Sequence, residues 1–370
     1  MNAQKNYDLI VVGLGPAGAS AAQAAAKAGL RVLALDRKRT AGLPVQCAEF
    51  VPGPMSGHVS NLNAAIRQPI HAMVTRVERD LPHHTDDFRG AMIDRAQFDQ
   101  NLVDEAAKAG VEIRFGQLVK AVTAQGLVLQ DGTLLNAPVL IGADGPHSAL
   151  GKAIGAINHE CVETRQITVA LLQSHEATDI FLSPDYRGGY AWLFPKGDVA
   201  HIGLGVEPGL RHRLKPLLAV LHADMVAQGR VGAEILRHTG GAIPVGGLIR
   251  CIGEIAGHKV LLAGDAAGLT NPVTGAGIAS AVQSGRMAGE AAAQFVRGKR
   301  GALDDYAEEI DDVFGPSLKR AVFRRARLMR ESSSLQPPNN AQLRESWIAF
   351  PQYWEAMTDN AANLNESIGQ

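Results

Sequence analysis

The chain has 370 residues, 46% of them hydrophobic, and its 36 basic and 37 acidic side chains leave a formal charge of −1. On a prior of about 150 residues per domain this suggests two or three domains with sizeable cores, and a charge near zero argues against nucleic acid as a partner. Three scattered cysteines, Cys47, Cys161 and Cys251, fit a reducing cytoplasm and fall short of the four thiolates of an ordinary iron–sulfur cluster.

The first element is the apolar run Leu9 to Val12, read as a buried strand. Gly13, Gly15 and Gly18 follow in the spacing G-x-G-x-x-G, and Ala19 to Lys27 is nearly all alanine, a strong helix former. Arg31 to Asp36 reads as the next strand, closing on an acid. Strand, glycine turn, helix, strand and acid make a dinucleotide-binding βαβ unit. Gly13 allows the tight turn, Gly15 lets the backbone approach a pyrophosphate, and Gly18 lets helix and strand pack closely. The helix N-terminus offers unpaired N–H groups to the phosphates, and Asp36 is placed to accept a ribose hydroxyl.

An irregular Gly- and Pro-rich segment runs from Arg37 to about Gly57. Ile70 to Val77 and Phe88 to Ile93 read as strands, and Asp94 to Lys108 as a helix. Val111 to Phe115 is a strand, and a hairpin turns at Gln125-Gly126. Val139 to Ile141 is a buried strand ending at Gly142-Ala143-Asp144-Gly145. Alternating strands with aromatic residues occupy Glu163 to Val206, and Leu210 to Gln228 is a helix. Lys259 to Ala263 is a buried strand that ends at Gly264-Asp265, and Gly275 to Val296 is a helix. The charged remainder from Ala302 reads as mostly helical.

The expected fold is therefore α/β and α+β. A discontinuous Rossmann-like nucleotide domain takes residues 1–68, 95–160 and 255–300. An antiparallel-sheet substrate domain takes 69–94 and 161–254, and a helical C-terminal region takes 301–370. The two glycine–aspartate turns after buried strands, added to the first βαβ unit, point to FAD, whose ribityl chain and flavin need holding beyond the pyrophosphate. Asp265 can accept from a ribityl hydroxyl. The helix near Gly277 and Ile278 can aim N–H groups at the flavin.

With these residues the chain resembles the geranylgeranyl reductase family, within the flavoproteins folded like p-hydroxybenzoate hydroxylase, over roughly residues 7 to 300. The glycine fingerprint carries the resemblance together with Pro44…Cys47-Ala48-Glu49, Asp94-Arg95-Ala96-Gln97-Phe98-Asp99 and Tyr190-Ala191-Trp192-Leu193-Phe194-Pro195-Lys196. The last matches the family's Y-x-W-x-F-P-K in full. The resemblance implies that Ala17 and its neighbours touch the pyrophosphate and that Asp36 meets the adenosine ribose, with Arg37 beside it in the cofactor site. Cys47, Ala48 and Phe50 would line the cofactor, Arg95 would reach its phosphates, Val119 would meet the adenine, and Asp265, Gly277 and Ile278 would hold the ribityl chain and flavin. The family has Gly where Phe50 stands, so Phe50 must sit at negative φ or the loop differs.

The implied activity is hydride transfer from reduced FAD to carbon–carbon double bonds of an isoprenoid or similar apolar small molecule. NAD(P)H or a protein electron donor would supply the electrons, and peripheral membrane contact is a further possibility. Tyr190, Trp192 and Phe194 share a strand face and read either as a wall against flavin and substrate or as plain sheet core. Cys47 reads as a positioning or protonating group or as an inert thiol, and Lys196 could be merely solvated. The alternative activity is a monooxygenase or halogenase acting on an aromatic compound through a flavin hydroperoxide. His71, His83 and His84 lack partners at ligand spacing, so no metal is expected. The acidic run Asp304 to Asp312 and the basic run Lys319 to Arg330 read as a solvated, salt-bridged helix pair, or as a surface for anionic lipid. The polar N-terminus shows no signal peptide, and no stretch is apolar enough to span a membrane. A cytoplasmic location is expected.

Overall fold

The computed structural model describes residues 7–53, 62–332 and 335–357. The far end of the irregular segment after Arg37 and the last residues of the chain lie outside these. Six strands form the first sheet, in the order Ile252–Ile255, His258–Leu262, Val139–Gly142, Leu9–Val12, Val32–Asp36, Glu112–Phe115. All pair in parallel except the Ile252–Ile255 edge. The two central strands, Leu9–Val12 and Val139–Gly142, are apolar on both faces and buried throughout, as a parallel sheet covered by helices requires. The helices Pro16–Lys27 and Ile278–Val296 pack tightly together, small residue against small residue. A Cβ on Gly285 would collide with the Ala17 carbonyl, so only glycine permits that approach.

Eight strands form the second sheet, in the order Val231–Pro244, Cys161–Leu171, Val199–Val206, Ala191–Lys196, Ala177–Leu182, Ile66–Val77, His83–Ile93, Phe50–Pro52. It is antiparallel apart from the pairing of Ala177–Leu182 with Ile66–Val77. Alternation along each strand separates two faces. Ile167, Val169, Leu193, Ile202 and Leu204 pack under the helix Leu214–Ala227. Met73, Ile180, Trp192 and Phe194 point the other way, where the C-terminal residues Leu343, Trp347 and Phe350 cover part of them. Val119–Thr123, Gly126–Leu129 and Leu134–Leu135 make a small third sheet.

Four details depart from the sequence reading. Val231–Pro244, the longest strand, was not expected; it is a sheet edge, largely exposed, and its register is broken by bulges. Phe50–Pro52 joins the antiparallel sheet, although it falls in the span expected for the nucleotide domain. The helix expected from Gly275 begins at Ile278. The expected helix pair is one 29-residue helix, Ala302–Arg330, that continues through Pro316.

Candidate active site

A cavity of about 1380 Å³ lies between the parallel sheet, the antiparallel sheet and the C-terminal helix. Ordinary small-molecule pockets hold roughly 300–1,000 Å³, so this one has room for a long cofactor and a substrate together. Gly13, Gly15, Ala17, Asp36, Arg37, Cys47, Ala48, Phe50, Arg95, Val119, Asp265, Gly277 and Ile278 all line it, as do Tyr190, Trp192 and Phe194. Gly18 does not. Its role is packing, because a Cβ there would collide with the Gly13 carbonyl.

The chemistry of the lining is compatible with FAD. A Cβ on Gly15 would meet no protein atom within 4 Å, so the turn is open to the cavity. The helix Pro16–Lys27 has no side-chain cap and no acid in its first turn, and Ile278–Val296 is likewise uncapped behind Gly277. Two helix N-termini therefore present unpaired N–H groups to the cavity, one suited to phosphate and one to developing negative charge. Asp36 is held rigid by the Leu14 and Lys38 N–H groups, both at 2.7 Å, leaving lone pairs for a ribose hydroxyl. Asp144 accepts from the Ala149 N–H at 2.7 Å, while its Oδ1 has no partner among the described residues and burial pushes its carboxyl up. Burial also raises Asp265, which takes the Thr270 hydroxyl at 2.5 Å. Arg95 lies in the wall, but its guanidinium is clamped by Asp99 at 2.9 and 3.0 Å. The motif containing both is thus partly structural: Asp94 caps the helix Arg95–Lys108 through the Gln97 N–H, and Asp99 fixes Arg95 one turn on.

The segment around Cys47 is pinned to the antiparallel sheet. Thr239 donates to the Val45 carbonyl at 2.6 Å, Gln46 to that of Gly240 at 3.1 Å, and Gln166 to that of Cys47 at 3.2 Å. Glu49, only 1% exposed, anchors its end. One carboxylate oxygen accepts the Arg95 backbone N–H at 2.8 Å; the other accepts Lys196 Nζ at 2.6 Å and His201 Nε2 at 2.7 Å. Burial alone would raise this carboxyl, but the donors from His201, Arg95 and Lys196 outweigh it and hold it at about 2. Burial keeps His201 below its ordinary value, against the pull of Glu49. A neutral imidazole that donates from Nε2 to Glu49 and accepts the Thr168 hydroxyl at Nδ1 (3.1 Å) satisfies both ring nitrogens. Lys196 is therefore not solvated. Glu49 takes the positive φ of 66° in this loop, and Phe50 does not. Phe50 enters a strand and lays its ring near Phe88 and Phe194, with centroids 5.7 and 5.8 Å away.

Tyr190, Trp192 and Phe194 share the cavity face, with their polar atoms turned into the protein. The Tyr190 hydroxyl donates to the Thr274 carbonyl at 2.6 Å and burial pushes it up, so it keeps its proton. Trp192 Nε1 donates to Gln166 at 3.0 Å. What remains for the cavity is apolar ring surface. Val313, Phe314, Pro316, Trp347 and Tyr353 complete the wall from the C-terminal region. The sequence reading missed them, along with Gln166 and His201. Only Glu49 and Lys196, inside quoted motifs, carried a signal.

The family model described as an FAD binding domain matches residues 6–181. With the lining above, this defines an FAD-dependent oxidoreductase. Digeranylgeranylglycerophospholipid reductase 1 of Methanococcoides burtonii is 32% identical over 336 residues, spanning 82% of this chain and 77% of that one. The geranylgeranyl bacteriochlorophyll reductase-like protein of Thermoplasma acidophilum shares the fold with a TM-score of 0.79 at 22% identity, over 92% of this chain and 90% of that one. So does PqsL of P. aeruginosa, solved with 2-aminobenzoylacetate, with a TM-score of 0.71 at 19% identity, over 92% and 98%. The chain belongs to the geranylgeranyl reductase family.

Proposed function

We propose that this protein reduces carbon–carbon double bonds in the polyprenyl chain of a lipid. The observation that carries this reading is the aromatic wall of Phe50, Tyr190, Trp192 and Phe194, whose polar atoms are bound within the protein and whose rings face the cavity. An unactivated alkene offers little charge to grip, so rate must come from close, dry, apolar positioning. Bound in its reduced form, FAD supplies a hydride to one alkene carbon. The other carbon takes a proton, and Cys47, which lines the cavity beside Arg95, is the side chain we assign to position or protonate it. The wall holds the chain straight and excludes water.

The reductant in this reading is NAD(P)H bound transiently or a protein donor. Gly203 and Gly205 lie inside the strand Val199–Val206 and form no second dinucleotide turn. Among the described residues no helix is long and apolar enough to cross a membrane. We assign entry of the lipid chain, and with it peripheral contact with a lipid surface, to the cavity edge at Val313 and Trp354, which are 44% and 59% exposed.

The test is anaerobic. Holoenzyme with chemically reduced flavin is mixed with geranylgeraniol or with its fully saturated counterpart. The oxidised flavin spectrum should return with the first and not with the second. No return with any polyprenyl compound, together with oxygen-dependent turnover of an aromatic compound, would replace this reading with the monooxygenase.

A further inference from the structure

The two glycine–aspartate turns stand at the ends of neighbouring strands. Val139–Gly142 and His258–Leu262 run in parallel and in register until Gly142 meets Leu262, and the Ala263 N–H still reaches the Gly142 carbonyl at 3.0 Å. Beyond that point the sheet no longer joins them. Asn158 does, from the loop between the helix Ala149–Ala153 and the strand Cys161–Leu171. Its Nδ2 donates to the Pro146 carbonyl at 3.1 Å and to the Asp265 carbonyl at 3.0 Å. Both partners can only accept, so the amide nitrogen must face them. The Asp265 carbonyl also takes the Gly268 N–H at 3.1 Å, which closes its turn. Gly268, at a φ of 73°, packs against the amide: a Cβ there would come within 3.1 Å of Asn158 Oδ1 and 2.1 Å of the Gly247 carbonyl oxygen. The same turn lies against the start of the helix Ile278–Val296, since a Cβ on Gly277 would meet Thr270 Oγ1 at 2.6 Å and Asp265 Oδ1 at 3.3 Å. Pro146, Asp265 and Gly277 line the cavity, and Asn158 does not. What Asn158 does for a ligand it therefore does through the two turns.

We propose that Asn158 is a positioning residue for the cofactor. It fixes the distance between the Asp144 turn and the Asp265 turn, and with it the hold on the ribityl–flavin half of FAD. The adenosine diphosphate half, assigned to Gly13 through Asp36, does not depend on it. Groups that grip a ligand together need placing to within about 0.5 Å, and two bonds from one planar amide set a fixed span between their acceptors. The inference rests on the FAD site and is independent of the reductase reading.

The test is displacement of FAD from the holoenzyme by ADP, which carries the pyrophosphate and adenosine but neither ribityl chain nor flavin. Released flavin is read by its fluorescence at equilibrium and at fixed total FAD, without turnover. The midpoint reports the ratio of the two affinities, so a loss that both ligands share cancels. Asn158→Asp keeps the shape but turns a carboxylate oxygen toward the two carbonyls. Asn158→Ser is too short to reach both, and it decides the matter should the carboxylate variant fail to fold. In each, ADP should displace FAD at about one tenth of the concentration that wild type requires, the loss expected from two neutral hydrogen bonds. A midpoint within about twofold of wild type in a folded variant overturns the proposal, because Asn158 then serves the fold alone. A protein that shows the shift but reduces no alkene would keep the positioning role and lose the reductase; turnover without the shift would do the reverse.

Discussion

Glu49 joins three parts of the chain that are far apart in sequence: its own loop, the start of the helix Arg95–Lys108, and Lys196 with His201 on adjacent strands. Holding a non-glycine residue at a φ of 66° costs on the order of 1–3 kcal/mol, which the three donors offset. Its carboxyl falls from an ordinary 4.5 to about 2, so the unfolded chain takes up the proton first as pH drops. The resulting stabilisation is complete above about pH 4.5 and is lost as pH falls toward 2; it amounts to about 3 kcal/mol. Glu49→Gln should therefore lower stability at pH 7 by about 3–5 kcal/mol, because Lys196 loses its buried counter-charge, and should flatten the stability profile between pH 4.5 and 2. Urea titrations across that range check both; a variant with the wild-type acid slope would show that Glu49 is not the group concerned. The motif Cys47-Ala48-Glu49 was legible in sequence. Its partners His201 and Gln166 were not, because His201 is a lone polar residue in an apolar strand, Gln166 is one of several polar residues in its strand, and only the sheet register brings them under the loop.

The helix Ala302–Arg330 shows the same limit at the scale of an element. Its charge runs suggest two solvated helices, yet Arg324 is only 4% exposed and donates to the carbonyls of Tyr353 and Glu355. Arg320 donates to Trp354 and Glu355, and Arg325 to Gly188. These arginines bind the protein's own carbonyls and so are not a free surface for anionic lipid. Local patterning cannot distinguish a cation facing solvent from one that ties down a later segment. Arg324→Ala should leave the buried Tyr353 carbonyl without its side-chain donor, at a cost of about 1–3 kcal/mol, and loosen the segment that carries Trp347 and Tyr353. Limited proteolysis should then cut the C-terminal segment faster while the parallel sheet stays resistant. Unchanged cleavage would mean that the apolar packing of Leu343, Trp347 and Phe350 holds the segment without the arginine. The glycine fingerprint and the Asp94-capped helix, by contrast, are set by contacts within a few residues, and their boundaries were readable to within three residues and one residue.

At the scale of the molecule, the parallel sheet and the antiparallel sheet each supply one side of a single cavity, and the Cys47 loop, pinned to the second sheet, crosses to the first at Arg95. The parallel sheet was legible because its strands are continuous apolar runs ending in Gly and Asp. The cavity's depth and its C-terminal wall were not, since both arise from packing between elements hundreds of residues apart. In the proposed reaction this cavity delivers hydride to an alkene. The most direct measurement is the mass of the product after anaerobic turnover of the reduced holoenzyme with a geranylgeranyl lipid. The expected product gains two hydrogens for each double bond reduced, with no added oxygen. An unchanged lipid mass, or a product that appears only in air and carries an added oxygen atom, would contradict it.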